Sequence, residues 1–147
     1  FLPAAIGTDT GGSVRNPASM CGITGLKPTY GLVSRRGVLP LAFSLDHVGP
    51  MTRTVLHNAL LLDLIAGYDA LDPGSANRAC GGYTADLDRG VNGLRIGVIR
   101  HFYTRDMQAD TEISAAIEAA LGVLSGLGAS VREEPAPEAP RVERLGA

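Results

Sequence analysis

The apolar positions of this chain fall into short clusters punctuated by glycine and proline, and two longer stretches carry a clear helical pattern. Leu2 to Gly7 is a nearly continuous apolar run and predicts a short buried strand. Gly11 and Gly12 then turn the chain. Asn16-Pro17 predicts a helix start, with Asn16 as cap and Pro17 at the first helical position. That helix is short, because Gly22 and Gly25 follow. Ile23 to Thr29 predicts a second short strand, bounded by Pro28 and Gly31, and Val33 to Leu41 reads as loop around Arg35-Arg36, Gly37 and Pro40. Gly49-Pro50 reads as a break beside a short strand over Val48 to Arg53.

The first clear helix spans Val55 to Ala66, capped by Thr54 and closed by Gly67. It is apolar nearly all round (Leu56, Ala59, Leu60, Leu61, Leu62, Leu64, Ile65), so it calls for cover on more than one side. Residues 69–93 are rich in Gly, Asp, Asn and Pro and read as an excursion over the surface. Leu94 to Ile99 predicts a strand, Thr111 to Leu127 an amphipathic helix ended by Gly128, and Ala129 to Arg132 a returning strand. Pro135 to Pro140 predicts an extended tail. Strands interleaved with helices make this an α/β chain. Its organisation reads as one partial domain over 1–147: a core over 1–70, the excursion over 71–93, a strand-helix-strand unit over 94–134 and a tail over 135–147.

Composition narrows the function classes. The 147 residues suffice for one domain with a real core, and 45% of them are apolar. A net charge of −2 argues against nucleic acid or an anionic membrane as the main partner. The longest apolar run, Ala59 to Ala66, is too short to span a bilayer and is broken by Asp63. Cys21 and Cys80 stand far apart and read as free thiols of a cytoplasmic protein, and His47, His57 and His101 fit no metal-ligand spacing. The chain opens at Phe1 inside an apolar segment, which leads us to expect a natural N-terminus upstream.

The chemistry concentrates in Gly7-Thr8-Asp9-Thr10-Gly11-Gly12-Ser13-Val14-Arg15. One serine follows two glycines, which let the backbone approach another group closely. Thr10, Gly11 and Gly12 supply consecutive N–H donors beside that hydroxyl, the combination acyl transfer needs: a nucleophile next to groups able to hold an oxyanion. Asp9-Thr10-Gly11 also matches the core of aspartic proteases, but this chain has no second copy to pair with it. The nucleophile elbow of the α/β-hydrolases requires Gly two residues after Ser, where Arg15 stands.

The nucleophile stretch together with Pro17-Ala18, Cys21-Gly22-Ile23-Thr24-Gly25-Leu26-Lys27-Pro28-Thr29-Tyr30-Gly31 and Ser44-Leu45-Asp46-His47-Val48-Gly49-Pro50-Met51-Thr52-Arg53 closely resembles the amidase signature family. The resemblance covers at least residues 6–70, and Leu94 to Arg100 with the helix after it fits less specifically. It implies the amidase signature fold, a mixed sheet flanked by helices. It also implies hydrolysis of a carboxamide, and sometimes an ester, through a Ser–cis-Ser–Lys triad, with a small-molecule amide as substrate and neither cofactor nor metal. A homodimer of the full-length enzyme remains open.

On this resemblance Ser13 is the nucleophile, the backbone N–H groups of Thr10, Gly11, Gly12 and Ser13 form the oxyanion hole, and Asp9 and Arg15 support the loop. Lys27, the only lysine, matches a structural lysine of the family, whose catalytic lysine and cis-serine lie upstream of the nucleophile. The chain thus reads as the central piece of a longer amidase, inactive alone for want of those two groups. Two alternatives stand beside that reading. One is a non-catalytic remnant serving as an assembly module. The other is the amidotransferase component that amidates glutamate or aspartate on charged tRNA, although Arg36 to Asp46 looks more like the general amidases. His47 is expected in a structural turn, and Cys21 as a small buried residue behind the nucleophile loop. Tyr30 and Phe43 are expected to line a pocket or to pack.

Overall fold

The computed structural model describes residues 2–136. The chain forms two compact units, Phe1–Asp88 and Arg89–Ala147. The first contains β1 (Ala4–Asp9), α1 (Arg15–Met20), β2 (Thr24–Gly25), β3 (His47–Thr52) and α2 (Val55–Ile65). Its three strands form an antiparallel sheet in the order β1-β3-β2. The second contains β4 (Arg95–Val98), α3 (Thr111–Gly126) and β5 (Ser130–Glu133), with β4 and β5 parallel.

The β1–β3 register runs from Ala4 opposite Thr52 to Asp9 opposite His47. Strand β1 therefore starts and ends two residues later than its apolar run predicts. Its most buried side chain is the charged Asp9, while Ile6 is 54% exposed in this chain. Gly49-Pro50, expected as a break, lies within the central strand. The Pro50 carbonyl accepts from Leu26 N–H at 3.1 Å, so the ring nitrogen faces the β2 side and the ladder to β1 loses no donor. Asn58 of α2 reinforces this point, its Nδ2 donating to the carbonyls of Pro50 and Thr24 at 3.2 Å each. Gly49 is needed for a separate reason: a Cβ there would stand 2.1 Å from the Leu26 carbonyl oxygen.

Helix α1 starts at Arg15, with Val14 as its cap residue and no side-chain cap. This corrects the placement of Asn16 as cap and Pro17 at the first turn's opening position. The free amides are held from a distance by Asp9, and Pro17, third in the helix, lacks an N–H that the helix would leave unpaired in any case. The helix lies against β2 at Gly25, where a Cβ would come within 2.5 Å of the Ala18 Cβ.

Helix α2 begins as predicted, with Thr54 Oγ1 accepting from His57 N–H at 3.2 Å. Leu62 packs with Leu32, Val33 and Val48 into the core of this unit. Leu56, Leu60 and Leu64, spaced by four along the opposite face, remain exposed in this chain. The excursion over residues 69–93 is tied down at its start. Asp72 is 5% exposed and bonded to Arg35, Asp69 accepts from Ser34 Oγ at 2.7 Å, and Ala76 N–H reaches the Gly31 carbonyl at 2.9 Å.

In the second unit Asp110 caps α3 by accepting from Glu112 N–H at 2.9 Å. Gly128 turns the chain back at φ +95°, and a Cβ there would meet Asn92 Oδ1 at 2.3 Å. Arg100 bonds both carboxylate oxygens of Glu118, at 2.7 and 2.8 Å, and reaches Glu133 at 3.2 Å. The tail predicted for Pro135 to Pro140 lies outside the described residues from 137 onward. No described helix is long and apolar enough to cross a membrane.

Candidate active site

The turn between β1 and α1 carries the candidate site, and a buried carboxylate shapes it. Asp9 is 0% exposed. Its Oδ1 accepts from Gly12 N–H at 2.8 Å, and its Oδ2 from Val14 and Arg15 N–H at 3.3 Å each. The Arg15 guanidinium closes on the same carboxylate at 2.9 and 3.0 Å. The hydrogen bond from the Arg15 side chain is the main reason the Asp9 carboxyl lies far below the usual carboxylate range; burial works against it and the backbone donors add to it.

Ser13 is exposed at the head of this turn. Of the three consecutive N–H groups of Gly11, Gly12 and Ser13, the Asp9 carboxylate takes the middle one. Gly12 was expected to offer its N–H to an oxyanion; here that N–H points to Asp9, and Gly12 shapes the turn instead. Its φ of +135° and the 2.8 Å that would separate a Cβ from Asn16 Nδ2 leave glycine as the residue that fits.

A second buried carboxylate grips the turn from the side. Asp46, 5% exposed, accepts the Thr10 hydroxyl on Oδ1 and the Leu41 N–H on Oδ2 at 2.9 Å, and Ala42 N–H lies 3.1 Å from both oxygens. The Thr10 bond is the largest cause of its lowered pKa. Sequence reasoning did not single out Asp46 beyond its place in the family-like stretch. The Ser-Leu-Asp-His spacing puts it one residue before β3, and that position was the available signal.

Lys27 and His47 face each other. Lys27 Nζ donates to the Pro28 carbonyl at 3.3 Å and lies 3.2 Å from His47 Nε2, while His47 Nδ1 is 2.6 Å from the Leu45 carbonyl. With Nδ1–H donating to Leu45, Nε2 is left as an acceptor for the ammonium. His47 is the first residue of β3 rather than part of a turn. Cys21, expected to be buried behind the loop, is exposed, as is Cys80, and both are free thiols.

Tyr30 and Phe43 do pack, around a third residue. Their rings flank the Arg35 guanidinium at 4.6 and 4.7 Å, and Tyr30 donates its hydroxyl to the Phe43 carbonyl at 3.1 Å. Arg35 is 8% exposed, its Nη1 reaches the Phe43 carbonyl, and its Nη2 pairs with Asp72 at 3.3 Å. Burial is the largest single influence on this guanidinium and opposes its charge; the hydrogen bond and charge of Asp72, with Tyr30 adding to them, together outweigh it, so its pKa is raised. Phe43, Arg35, Asp46 and Asp72 line a cleft of about 280 Å³. Among the described residues, no group of three or more His, Cys, Asp or Glu is arranged to hold a metal ion.

Comparison with known proteins adds the wider context. The family model Amidase matches residues 1–146. A glutamyl-tRNA(Gln) amidotransferase subunit from Nitrosomonas eutropha is 50% identical over 137 residues, which cover 93% of this chain and 28% of that protein. The corresponding protein from Roseiflexus castenholzii is 51% identical over 138 residues, with 94% and 28% covered. The chain thus spans about 28% of the length of these curated relatives. The crystal structure of the glutamyl-tRNA(Gln) amidotransferase subunit from Thermotoga maritima superposes with a TM-score of 0.85 at 42% identity, covering 92% of this chain and 29% of that one. The native peptide amidase of Stenotrophomonas maltophilia gives 0.80 at 41% identity, with 92% and 28% covered.

Proposed function

The chain belongs to the amidase family, and from that premise we propose that the protein containing it hydrolyses a carboxamide through an acyl-enzyme formed on Ser13. The Ser13 hydroxyl attacks the amide carbonyl, its proton passes to a base outside this chain, and that base returns the proton to the nitrogen as the C–N bond breaks, releasing ammonia or an amine. Water then cleaves the ester to give the acid. The observation that carries this reading is the exposed Ser13 beside a turn held rigid from beneath by Asp9. The N–H groups of Thr10, Gly11 and Ser13 are the proposed oxyanion donors, a role worth about 3–4 kcal/mol of barrier per good donor. Asp9 and Arg15 support the loop, and the site needs no metal or other cofactor. This chain alone, without the upstream lysine and serine of the family's triad, is proposed to be inactive.

The test uses the full-length protein and a serine-directed fluorophosphonate. Labelling is expected on the peptide that contains Ser13, and Ser13→Ala is expected to abolish both labelling and turnover. Turnover of Ser13→Ala at the wild-type rate sinks the assignment.

A second reading is favoured by the roughly 50% identity to amidotransferase subunits. In it, the same acyl-enzyme forms on glutamine, and the ammonia serves to amidate glutamate on a charged tRNA. Glutamine-dependent formation of glutaminyl-tRNA by the full-length protein with its partner subunits separates the two readings. A cytoplasmic setting suits both.

A further inference from the structure

Two carboxylates hold the nucleophile turn, and they do different work. Asp9 organises the turn from below and is balanced by Arg15. Among the described residues Asp46 has no such partner on its oxygens: the donors it receives there are the Thr10 hydroxyl and the backbone N–H groups of Leu41 and Ala42. The last backbone pair between β1 and β3 is Asp9 with His47. Thr10 follows the first and Asp46 precedes the second, so their side-chain bond adds one more rung to the ladder where the backbone rungs stop. Beyond that rung comes Gly11, where a would-be Cβ meets nothing within 4 Å. Asp46 is itself immobilised, since its N–H and that of Leu45 both donate to the Ala42 carbonyl, at 2.9 and 2.8 Å.

We propose that Asp46 is a positioning residue for the reaction, acting through the Thr10 hydroxyl to fix the direction in which the Thr10–Gly11 backbone donors point. The inference rests on the reading of Ser13 as nucleophile. A carboxylate near a developing oxyanion gives no electrostatic help, so its contribution is geometric. The N–H groups must stand at hydrogen-bond distance from the position the oxyanion will occupy, and the β-branched Thr10 transmits the anchor with few rotamers to choose from. Thr10 is thus more than a donor of its N–H. Asp46 also fastens Leu41 and Ala42, so one carboxylate ties the 41–46 loop to the Thr10 turn.

The test compares Thr10→Val, Thr10→Ser and Asp46→Asn in the full-length protein, with p-nitrophenyl butyrate as substrate and phenylboronic acid as a tetrahedral analogue. Acylation and deacylation both pass through an oxyanion, so either step reports the effect. Thr10→Val is expected to lower kcat about tenfold to a hundredfold, with KM changed less than about threefold. Its affinity for the boronic acid falls by a similar factor, while that for butyrate, the trigonal product, holds. Thr10→Ser, which keeps the hydroxyl, recovers most of kcat, and Asp46→Asn resembles Thr10→Val. A merely structural role would lower the melting temperature without separating boronic acid from butyrate. Wild-type kcat and boronic acid affinity in a folded Thr10→Val overturn this inference while Ser13→Ala remains inactive. Normal turnover by Ser13→Ala overturns the underlying reading as well.

Discussion

The Asp9 carboxylate, fully buried, is clasped by an Arg15 guanidinium whose own side chain is half exposed, with contacts of 2.9 and 3.0 Å. The pair joins the last residue of a strand to the first residue of a helix and closes the turn that presents Ser13. Because Asp9 also receives the N–H groups of Gly12, Val14 and Arg15, its removal orphans several donors at once. Asp9→Ala is expected to cost about 3 kcal/mol of stability, read as a lower urea midpoint of the full-length protein, and to abolish Ser13 labelling.

The same pair predicts an acid-side dependence. In the folded chain the Asp9 carboxyl lies below its ordinary value of about 4, so between the two values the unfolded chain binds more protons. The stabilisation from Asp9 is therefore complete above about pH 4 and is lost as pH falls through the lowered folded value. Replacing Arg15 by Met removes the main cause of the lowering. The stability gap between wild type and Arg15→Met, measured by urea unfolding, is expected to be widest above about pH 5 and to narrow towards pH 3. A gap that widens with acid would reverse the assignment.

Gly12 tests the turn without touching a charge. At φ +135°, and with Asn16 Nδ2 2.8 Å from a would-be Cβ, Gly12→Ala must change either the backbone or the Asn16 rotamer. A loss of about 1–3 kcal/mol is expected. Gly11 has nothing within 4 Å of a would-be Cβ. Gly11→Ala is accordingly expected to keep the thermal stability, so unfolding curves of the two variants separate the shaping glycine from its neighbour.

Much of this was legible beforehand, for identifiable reasons. Helix α3 followed from apolar periodicity ended by Gly128, and α2 from an apolar run between Thr54 and Gly67, signals that are local. Ser13 stood out because glycines and a serine adjoin in the chain. The start of α1 was misplaced because its amides are satisfied by Asp9, six positions before Arg15, while Asn16-Pro17 offered a nearer, conventional cap. Gly49-Pro50 looked like a break because proline cannot donate, and the sequence does not show which side of the strand needs a donor. Asp46 and Asp72 act on residues 36 and 37 positions away, separations across which no local pattern speaks. The exposure of Cys21 was misjudged because a free cysteine is among the residue types most often buried.

The Arg35 site gives the last prediction. Its guanidinium is flanked by the Tyr30 and Phe43 rings and faces Asp72, and a Cβ on Gly74 would lie 1.7 Å from its Nη2. A lysine has neither the planar face for two rings nor the fork that reaches both the Phe43 carbonyl and Asp72. Arg35→Lys is expected to cost on the order of 3 kcal/mol, because Asp72 stays buried with a poorer partner. Gly74→Ala displaces the same guanidinium and is expected to cost about 1–3 kcal/mol by itself. The two losses should not add: once lysine has vacated the space beside Gly74, the extra methyl meets less, so the double variant is expected to be more stable than the sum by about 1 kcal/mol. Strict additivity in urea unfolding of the four proteins would mean that Gly74 is small for a reason other than making room for Arg35.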